Sequence, residues 1–203
     1  MAKVKLSKGE LKRQRDALTQ YERYLPTLQL KKQQLQLEIL RQAALLEEKA
    51  ATLISRRNAA LSWAGLLAER GIVIGPWLIP SRVITGERNI AGVDISIFES
   101  IEFTAAEYDL FAAPLWVDAA IDILRGMVSL QEEIKAINSG IAILRQELRI
   151  TTQRVNLFEK IKIPEAREVI RLIKIYIGDQ MANAVGRSKI AKRKIEELAS
   201  LAA

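Results

Sequence analysis

The chain has 203 residues, of which 49 % are hydrophobic and 27 % charged, a balance typical of one or two ordered, water-soluble domains. It contains no cysteine and no histidine, which excludes disulfides, thiolate nucleophiles, zinc fingers and Ser-His-Asp triads. The net charge of +7 is unevenly divided: the segment 71–118 has two basic and seven acidic residues, so the remainder carries +12.

The excess of basic residues lies at the two ends of the chain. Basic clusters attract phosphate, so a nucleic-acid-binding protein is one hypothesis. If the two ends meet in space, they form a single positive tip. The candidate residues for this tip are Lys12, Arg13, Arg187, Lys189, Lys192 and Arg193.

Hydropathy gives no indication of a membrane protein. No run of 18 apolar residues exists, which argues against a membrane span. The N-terminus lacks the apolar core of a signal peptide, so we expect a cytoplasmic protein.

Residues 1–69 are predicted to form one long helix. Glycine is absent from 11–64, and apolar residues recur at alternating steps of three and four, the spacing of a coiled-coil seam. Two successive steps of four around Ile39 form a stutter, and Pro26 interrupts the backbone hydrogen bonding. The seam residues are Leu11, Leu18, Leu28, Leu35, Ile39, Leu46 and Leu53.

The middle region, 70–118, contains most of the glycines and prolines. Two segments rich in Val and Ile, 81–85 and 90–98, predict a β-hairpin at about 82–98 with its connection at 86–89. Thr104 and Glu107 resemble a capping box that opens a short helix. Trp63, Trp77 and Trp116 are expected either to pack this region onto the helices or to anchor a partner protein.

Residues 119–203 are predicted to form the second long helix, kinked near Pro164 because a proline ring clashes with the carbonyl four residues earlier. Its seam is Ile134, Ile141, Leu144, Leu148 and Val155. Helices of about 60 and 80 residues span roughly 90 and 120 Å. Each apolar stripe needs the other as its partner, so we expect a mainly α protein: a long antiparallel two-helix coiled coil with a small middle region containing the hairpin and short helices.

No motif for catalysis or cofactor binding was found. There is no Gly-Lys-Ser or Gly-Lys-Thr of a nucleotide-binding loop, and adjacent carboxylates such as Glu47 and Glu48 diverge by about 100° on a helix. We therefore expect a non-catalytic protein with no cofactor and no metal.

Two motifs go beyond helical periodicity. Residues 151–159 read Thr-Thr-Gln-Arg-Val-Asn-Leu-Phe-Glu and are followed by Ile163 and Pro164, while residues 89–99 read Asn-Ile-Ala-Gly-Val-Asp-Ile-Ser-Ile-Phe-Glu. Both resemble motifs of the D subunit of V-type and archaeal-type rotary ATPases. The matching residues, which the resemblance makes interface candidates, are Arg154, Val155, Asn156, Glu159, Pro164, Asn89, Gly92, Val93, Phe98 and Glu99.

The resemblance implies a rotor shaft. In that family the paired terminal helices enter the catalytic hexamer of A and B subunits, while the F subunit and a socket C subunit on the membrane ring hold the middle. It further implies coupling of ATP hydrolysis or synthesis to rotation and to proton or sodium transport, from a position on the inner face of the membrane. The chain itself would be non-catalytic and would not span the membrane.

Two other hypotheses remain open at this stage. A coiled-coil scaffold or tether explains the helical seams equally well, so only the two motifs distinguish it from a rotor shaft. A nucleic-acid-binding coiled coil would use the terminal bases, but few aromatic residues accompany them to stack on nucleobases. We therefore do not expect a nucleic-acid partner.

Overall fold

The computed structural model describes residues 5–69, 73–109 and 113–201. Helix α1 spans Lys8–Leu61, strands β1 and β2 span Pro80–Ile90 and Val93–Phe103, helix α2 spans Trp116–Leu157 and helix α3 spans Ile163–Leu201. The short helices of the middle region are two 3₁₀ turns, Ala64–Ala68 and Gly75–Leu78. The predicted fold class, mainly α with long terminal helices and a central antiparallel hairpin, is confirmed.

The chain forms two compact units. Unit 1 contains residues 1–30 and 152–203, and unit 2 contains residues 31–151. The predicted boundary between residues 69 and 70 adjoins residues 70–72, which lie outside the described part of the chain, as does part of the predicted middle region at 110–112.

Helix α1 begins with a local capping arrangement. The hydroxyl of Ser7 accepts a hydrogen bond from the amide of Glu10 at 3.2 Å, which satisfies one of the unpaired donors at a helix start. The helix continues through Pro26, which has no amide hydrogen to donate to the carbonyl of Glu22. Beside it, the Thr27 hydroxyl donates to the carbonyl of Tyr24 at 2.7 Å.

In unit 2, α1 and α2 run antiparallel. Lys31 forms an ion pair with Glu147 at 2.9 Å, and Lys49 forms one with Glu133 at 2.8 Å. Residue numbers therefore rise along α1 as they fall along α2. Leu35 and Leu144 are fully buried between the helices. The seam residues of this unit lie at this interface as buried or half-buried side chains.

The hairpin turns at Ala91 and Gly92, not at 86–89 as the sequence suggested. Both turn residues have positive φ, 52° and 75°, as a two-residue type I′ turn requires. Asn89 supports the turn, since its side-chain oxygen accepts from the Gly92 amide at 3.0 Å. Gly86 instead lies within β1 opposite Ile97, and the space beside its Cα is filled by the side chain of Glu99.

The strands are longer than predicted, and they pair from Pro80 with Phe103 to Ile90 with Val93. The register is irregular between Pro80 and Arg82 and between Ile84 and Thr85. Residues 104–109 have no regular secondary structure, so the helix expected to open at Thr104 does not form in this segment. Arg125 binds the carbonyl of Thr104, and the ring of Tyr108 packs against Trp77 with 5.2 Å between centroids. These contacts hold the segment in a non-helical course.

In unit 1, the first part of α1 pairs with α3 and the turn before it. The rings of Tyr21 and Phe158 lie 5.4 Å apart, and Arg167 donates to Glu22 at 2.7 Å. Phe158–Lys162 form a π-helical turn in which the Ile163 amide bonds to the carbonyl of Phe158, five residues earlier. The helix therefore departs from α geometry immediately before Pro164, where the sequence predicted a kink.

Candidate interaction surfaces

The described residues present several candidate interaction surfaces. Among these residues, no group of three or more acidic side chains is positioned to hold a metal ion. None of the described helices is long and apolar enough to cross a membrane. A cavity of about 110 Å³ in unit 2 lies between the hairpin and the helix pair, lined mainly by apolar side chains such as Leu45, Ile97 and Ile137.

The hairpin packs on the helix pair of unit 2. Ile95 is 4 % exposed and lies with Leu35 and Leu144 in one buried cluster, while Ile90 and Val93 pack around it. At the other end of the hairpin, the guanidinium of Arg125 lies 5.1 Å from the centre of the Phe103 ring. Because Leu148 also packs against the cluster, the strand pair follows α2 from Arg125 to Leu148, about 23 residues or roughly 35 Å.

The motif at 89–99 largely builds this hairpin. Asn89 and Gly92 form the turn, Val93 packs on the helix pair, and Phe98 is half-buried. Glu99 is exposed and fills the space beside Gly86. Turn geometry and packing within unit 2 therefore account for the motif residues at 89–99.

The motif at 154–164 lies in unit 1 and divides between a buried and an exposed face. Val155 is 4 % exposed and belongs to the helix interface. Arg154, Asn156, Glu159 and Pro164 are exposed. Among the interface candidates of this motif, these four are therefore the ones that a partner can reach.

The end of unit 2 next to the 3₁₀ turns has its own small core, which we call the base cluster. Its buried members are Ile74, Val117, Ala120 and Ile121, and all three tryptophans pack around it as half-buried side chains. The indole N–H of Trp116 donates to Glu69 at 3.2 Å, and the Tyr108 hydroxyl bonds to Asp118. The packing interpretation of the tryptophans is what the structure shows.

Arg125 connects the base cluster to the hairpin. Its Nε donates to the carbonyl of Trp77 at 3.1 Å and its Nη2 to the carbonyl of Thr104 at 2.5 Å. Sequence reasoning missed this residue, because the two carbonyls it joins lie 48 and 21 residues away. The one sequence feature that marks Arg125 is its position, as a basic residue just after the acidic segment 71–118.

Large apolar side chains are exposed around the base cluster. Leu115 is 97 %, Val73 72 % and Ile79 64 % exposed. Carboxylates stand among them in the sequence, including Glu69, Glu107, Asp118 and Asp122, all exposed. We call these exposed apolar side chains the apolar patch, and they make this end of unit 2 a candidate protein interface.

In unit 1, α3 extends beyond the start of α1. Leu18 lines one groove with Ile170 and Lys174, so counting along the antiparallel helices places Lys8 level with about residue 183. From Gly178 to Glu197 every described residue is exposed except the half-buried Gly186. We call residues 184–197 the α3 extension.

The α3 extension is both basic and apolar. Arg187, Lys189, Lys192 and Arg193 are exposed, as are Val185, Ile190 and Ile195 at 56 to 67 %. Lys12 and Arg13 are also exposed, but on the paired part of α1. The six bases expected to form a positive tip therefore divide between the paired part of α1 and the α3 extension, and the tip stays a prediction.

Ion pairs at the surface of unit 1 have a modest electrostatic effect. Arg171 donates two hydrogen bonds to Glu168, at 3.0 and 2.7 Å, which lowers the pKa of Glu168 from its ordinary value. The same hydrogen bonds raise the pKa of Arg171. Both side chains are well exposed, so solvent screens the pair and it adds little stability.

Comparison with known proteins assigns the sequence to a family. The sequence profile of the ATP synthase D subunit family matches residues 10–193. The V-type ATP synthase D subunit of Borreliella burgdorferi is 43 % identical over 195 residues, covering 96 % of both chains. Proteins of the same name from Chlamydia abortus and Chlamydia pneumoniae are each 31 % identical, covering 97 and 95 % of this chain and 95 and 93 % of their own.

Proposed function

Because the chain belongs to the ATP synthase D subunit family, in which its similarity is to V-type members, we propose that it is the central rotor shaft of a V-type ATP synthase or ATPase. In this role it couples ATP hydrolysis or synthesis in a catalytic hexamer to rotation of a membrane ring and to ion transport. The observation that carries the proposal is the match to V-type relatives over almost the whole chain.

The α3 extension is the surface proposed to enter the hexamer of A and B subunits. A shaft must make different contacts with three catalytic sites as it turns, since only differential contacts can bias their affinities. Exposed apolar residues such as Ile190 and Ile195 alternate here with exposed bases such as Lys189 and Arg193. A helix that carries both kinds of side chain presents chemically different faces around its axis, so each catalytic site would meet a different face.

The apolar patch around the base cluster is proposed to seat in the socket C subunit of the membrane ring. Exposed Leu115, Val73 and Ile79 supply the apolar area, and the surrounding carboxylates favour a partner with basic side chains. The F subunit is proposed to bind unit 2 along its length. The chain then acts as a non-catalytic, peripheral component on the inner face of the membrane, with no cofactor of its own.

The test is assembly followed by rotation. Purified A, B and F subunits from the same organism are mixed with this chain, and co-elution and ATPase activity are compared with a mixture that lacks it. Because the chain contains no cysteine, a Ser100→Cys variant on the exposed face of β2 takes a biotin and a bead at one position. We expect ATP to drive unidirectional rotation of the bead. A chain that does not join the complex, or joins without rotating, overturns the proposal, and the second result favours a tether.

A further inference from the structure

The cavity in unit 2 lies where the hairpin lifts away from the helix pair. Ile95 and Ile97 are two residues apart on β2, so their side chains point to the same side of the hairpin. Ile95 is 4 % exposed and lies against Gly140 of α2, whereas Ile97 is 38 % exposed and lines the cavity. The hairpin is therefore held at Ile95 and leaves a space of about 110 Å³ beside it, beneath Ile97.

Small residues of α2 create this space, and larger apolar residues enclose it. Ala136 and Gly140 line the cavity one helical turn apart, so the same face of α2 is low at both positions. Leu45 of α1 and Ile137 of α2 form apolar walls. Such walls offer water few hydrogen-bond partners, and an apolar cavity of about 150 Å³ in another protein stays dry and binds benzene. The space beneath the hairpin therefore favours an apolar group over water.

The charged residues of the lining give the cavity a preference for an anion. They are Arg88 and Glu133, and Glu133 is already paired with Lys49 at 2.8 Å. Arg88 is exposed and forms no ion pair or side-chain hydrogen bond with any residue that the structure describes. It stands directly opposite Ile95 across the strands, so its side chain leaves the hairpin on the cavity side. The lining therefore offers one uncompensated positive charge at its open side.

The volume and the charge together define the ligand. Benzene places six carbon atoms in its cavity of about 150 Å³, so in proportion the 110 Å³ here accommodates roughly four. A guanidinium binds a carboxylate through two parallel hydrogen bonds. A group with two negative charges would bring one unbalanced charge close to the carboxylate of Glu133. A single carboxylate on a short alkyl chain is the chemistry that matches this lining.

We propose that the cavity binds a short-chain monocarboxylate of about five carbon atoms, with its alkyl chain over Ala136 and Gly140 and its carboxylate on Arg88. Burial of about four carbon groups and the charged hydrogen bonds correspond to a dissociation constant on the order of 1 mM. The bound chain fills the space beneath Ile97 and fixes the hairpin to α2 at a second place. This site lies within unit 2 and is independent of the rotor proposal.

The first test follows the isoleucine methyl groups of the full chain by NMR as pentanoate is added. We expect saturable shifts of Ile95, Ile97 and Ile137, which line the cavity, and no shift of the exposed Ile54 and Ile195. Pentylamine is the matched control, because it has the same chain with the opposite charge, and it should bind at least about tenfold more weakly. Acetate has the carboxylate without the chain and should leave the three cavity methyl groups unchanged.

The second test changes the site. Arg88→Gln should weaken pentanoate binding at least about fivefold and leave the binding of uncharged pentan-1-ol within about twofold. Arg82→Gln changes an exposed arginine of the same strand outside the lining and should alter neither. Ala136→Leu fills the cavity from α2 and should abolish the binding of both molecules. Arg88 is exposed, so its variant should keep the thermal midpoint of the chain, and the charge test stands even if Ala136→Leu does not fold.

Shifts that do not saturate, or that appear equally at Ile54 and Ile195, show partition onto apolar surface and overturn the proposal. The same holds if pentylamine binds as tightly as pentanoate, if Arg88→Gln behaves like Arg82→Gln, or if a folded Ala136→Leu variant still binds. Because the readout is binding to the isolated chain, its failure leaves the rotor proposal intact. A chain that binds pentanoate but does not rotate in the complex overturns only the rotor proposal.

Discussion

Ile95 of β2 lies directly against Gly140 of α2. A Cβ atom at Gly140 would stand 3.8 Å from both the Cβ and the Cδ1 of Ile95, so the hairpin rests on the bare backbone of the helix. Glycine is a poor helix former, yet here it lies in the interior of a 42-residue helix. An alanine methyl would fit at ordinary van der Waals distance, but a longer side chain would occupy the place of Ile95, so the hairpin restricts this position to the smallest residues.

The first prediction concerns Ile95 itself. Ile95→Ala removes a side chain that is 4 % exposed and packed against Leu35 and Leu144. We expect the free energy of unfolding to fall by about 2 to 4 kcal/mol, the range for large-to-small changes in a core. Urea unfolding measures it. Ile97→Ala, the matched control two residues further along β2, is 38 % exposed and should cost clearly less. Equal losses would mean that the hairpin is not held by Ile95.

The second prediction concerns the hairpin turn, where both central residues have positive φ. Gly92→Ala places a side chain at a φ of 75° and should lower stability by roughly 1 kcal/mol, whereas Ala91→Gly relieves a φ of 52° and should raise it by a similar amount. Urea unfolding of the two variants should therefore shift in opposite directions. A shift of the same sign in both would contradict a type I′ turn at these residues.

Periodicity predicted the helices well, because a burial pattern repeated over many turns is local information. It failed where the deciding contacts are long-range. Gly86 favours a turn by its residue type, although its role is to leave room for Glu99 on the opposite strand, and Ala91 gives no turn signal because alanine rarely adopts positive φ. The signal present was Asn89 with Gly92, an asparagine whose side chain can close a turn.

The candidate surfaces were harder to predict than the fold. The basic and apolar character of the C-terminal region was visible in the sequence, but not that the helix continues past the start of α1. Exposed apolar residues such as Leu40 recur on α1 at the same spacing as the seam through Leu35, and only burial separates the face that is packed from the one that is exposed.

The third prediction tests Arg125 as the connection between base cluster and hairpin. Arg125→Met keeps much of the side-chain bulk but loses the hydrogen bonds to the carbonyls of Trp77 and Thr104. Hydrogen bonds from a charged group contribute about 1.5 to 3 kcal/mol, so we expect a loss near the lower end for this partly exposed pair. Tryptophan fluorescence should report this loss of stability, because Trp77 lies at the contact.

The control is Arg145→Met, which changes an exposed arginine on the same helix and should change stability by less than about 0.5 kcal/mol. Comparable losses in the two variants would leave Arg125 without its connecting role.

The last prediction separates folding from function in the α3 extension. Ending the chain after Gly186 removes Arg187, Lys189, Lys192 and Arg193 together with Ile190 and Ile195, all exposed. Since residues beyond about 183 have no facing turn of α1, the shortened chain should keep the thermal midpoint of unit 1 within a few degrees. Its complex with A, B and F subunits, by contrast, should lose most of the ATPase stimulation that the full chain provides, because the proposed contact with the hexamer is gone.

Replacing only the four bases by glutamine should give an intermediate loss if charge and apolar contact both contribute. Full stimulation by the shortened chain would show that torque is transmitted elsewhere, while a large drop in the thermal midpoint would show that the extension is packed against the rest of the unit.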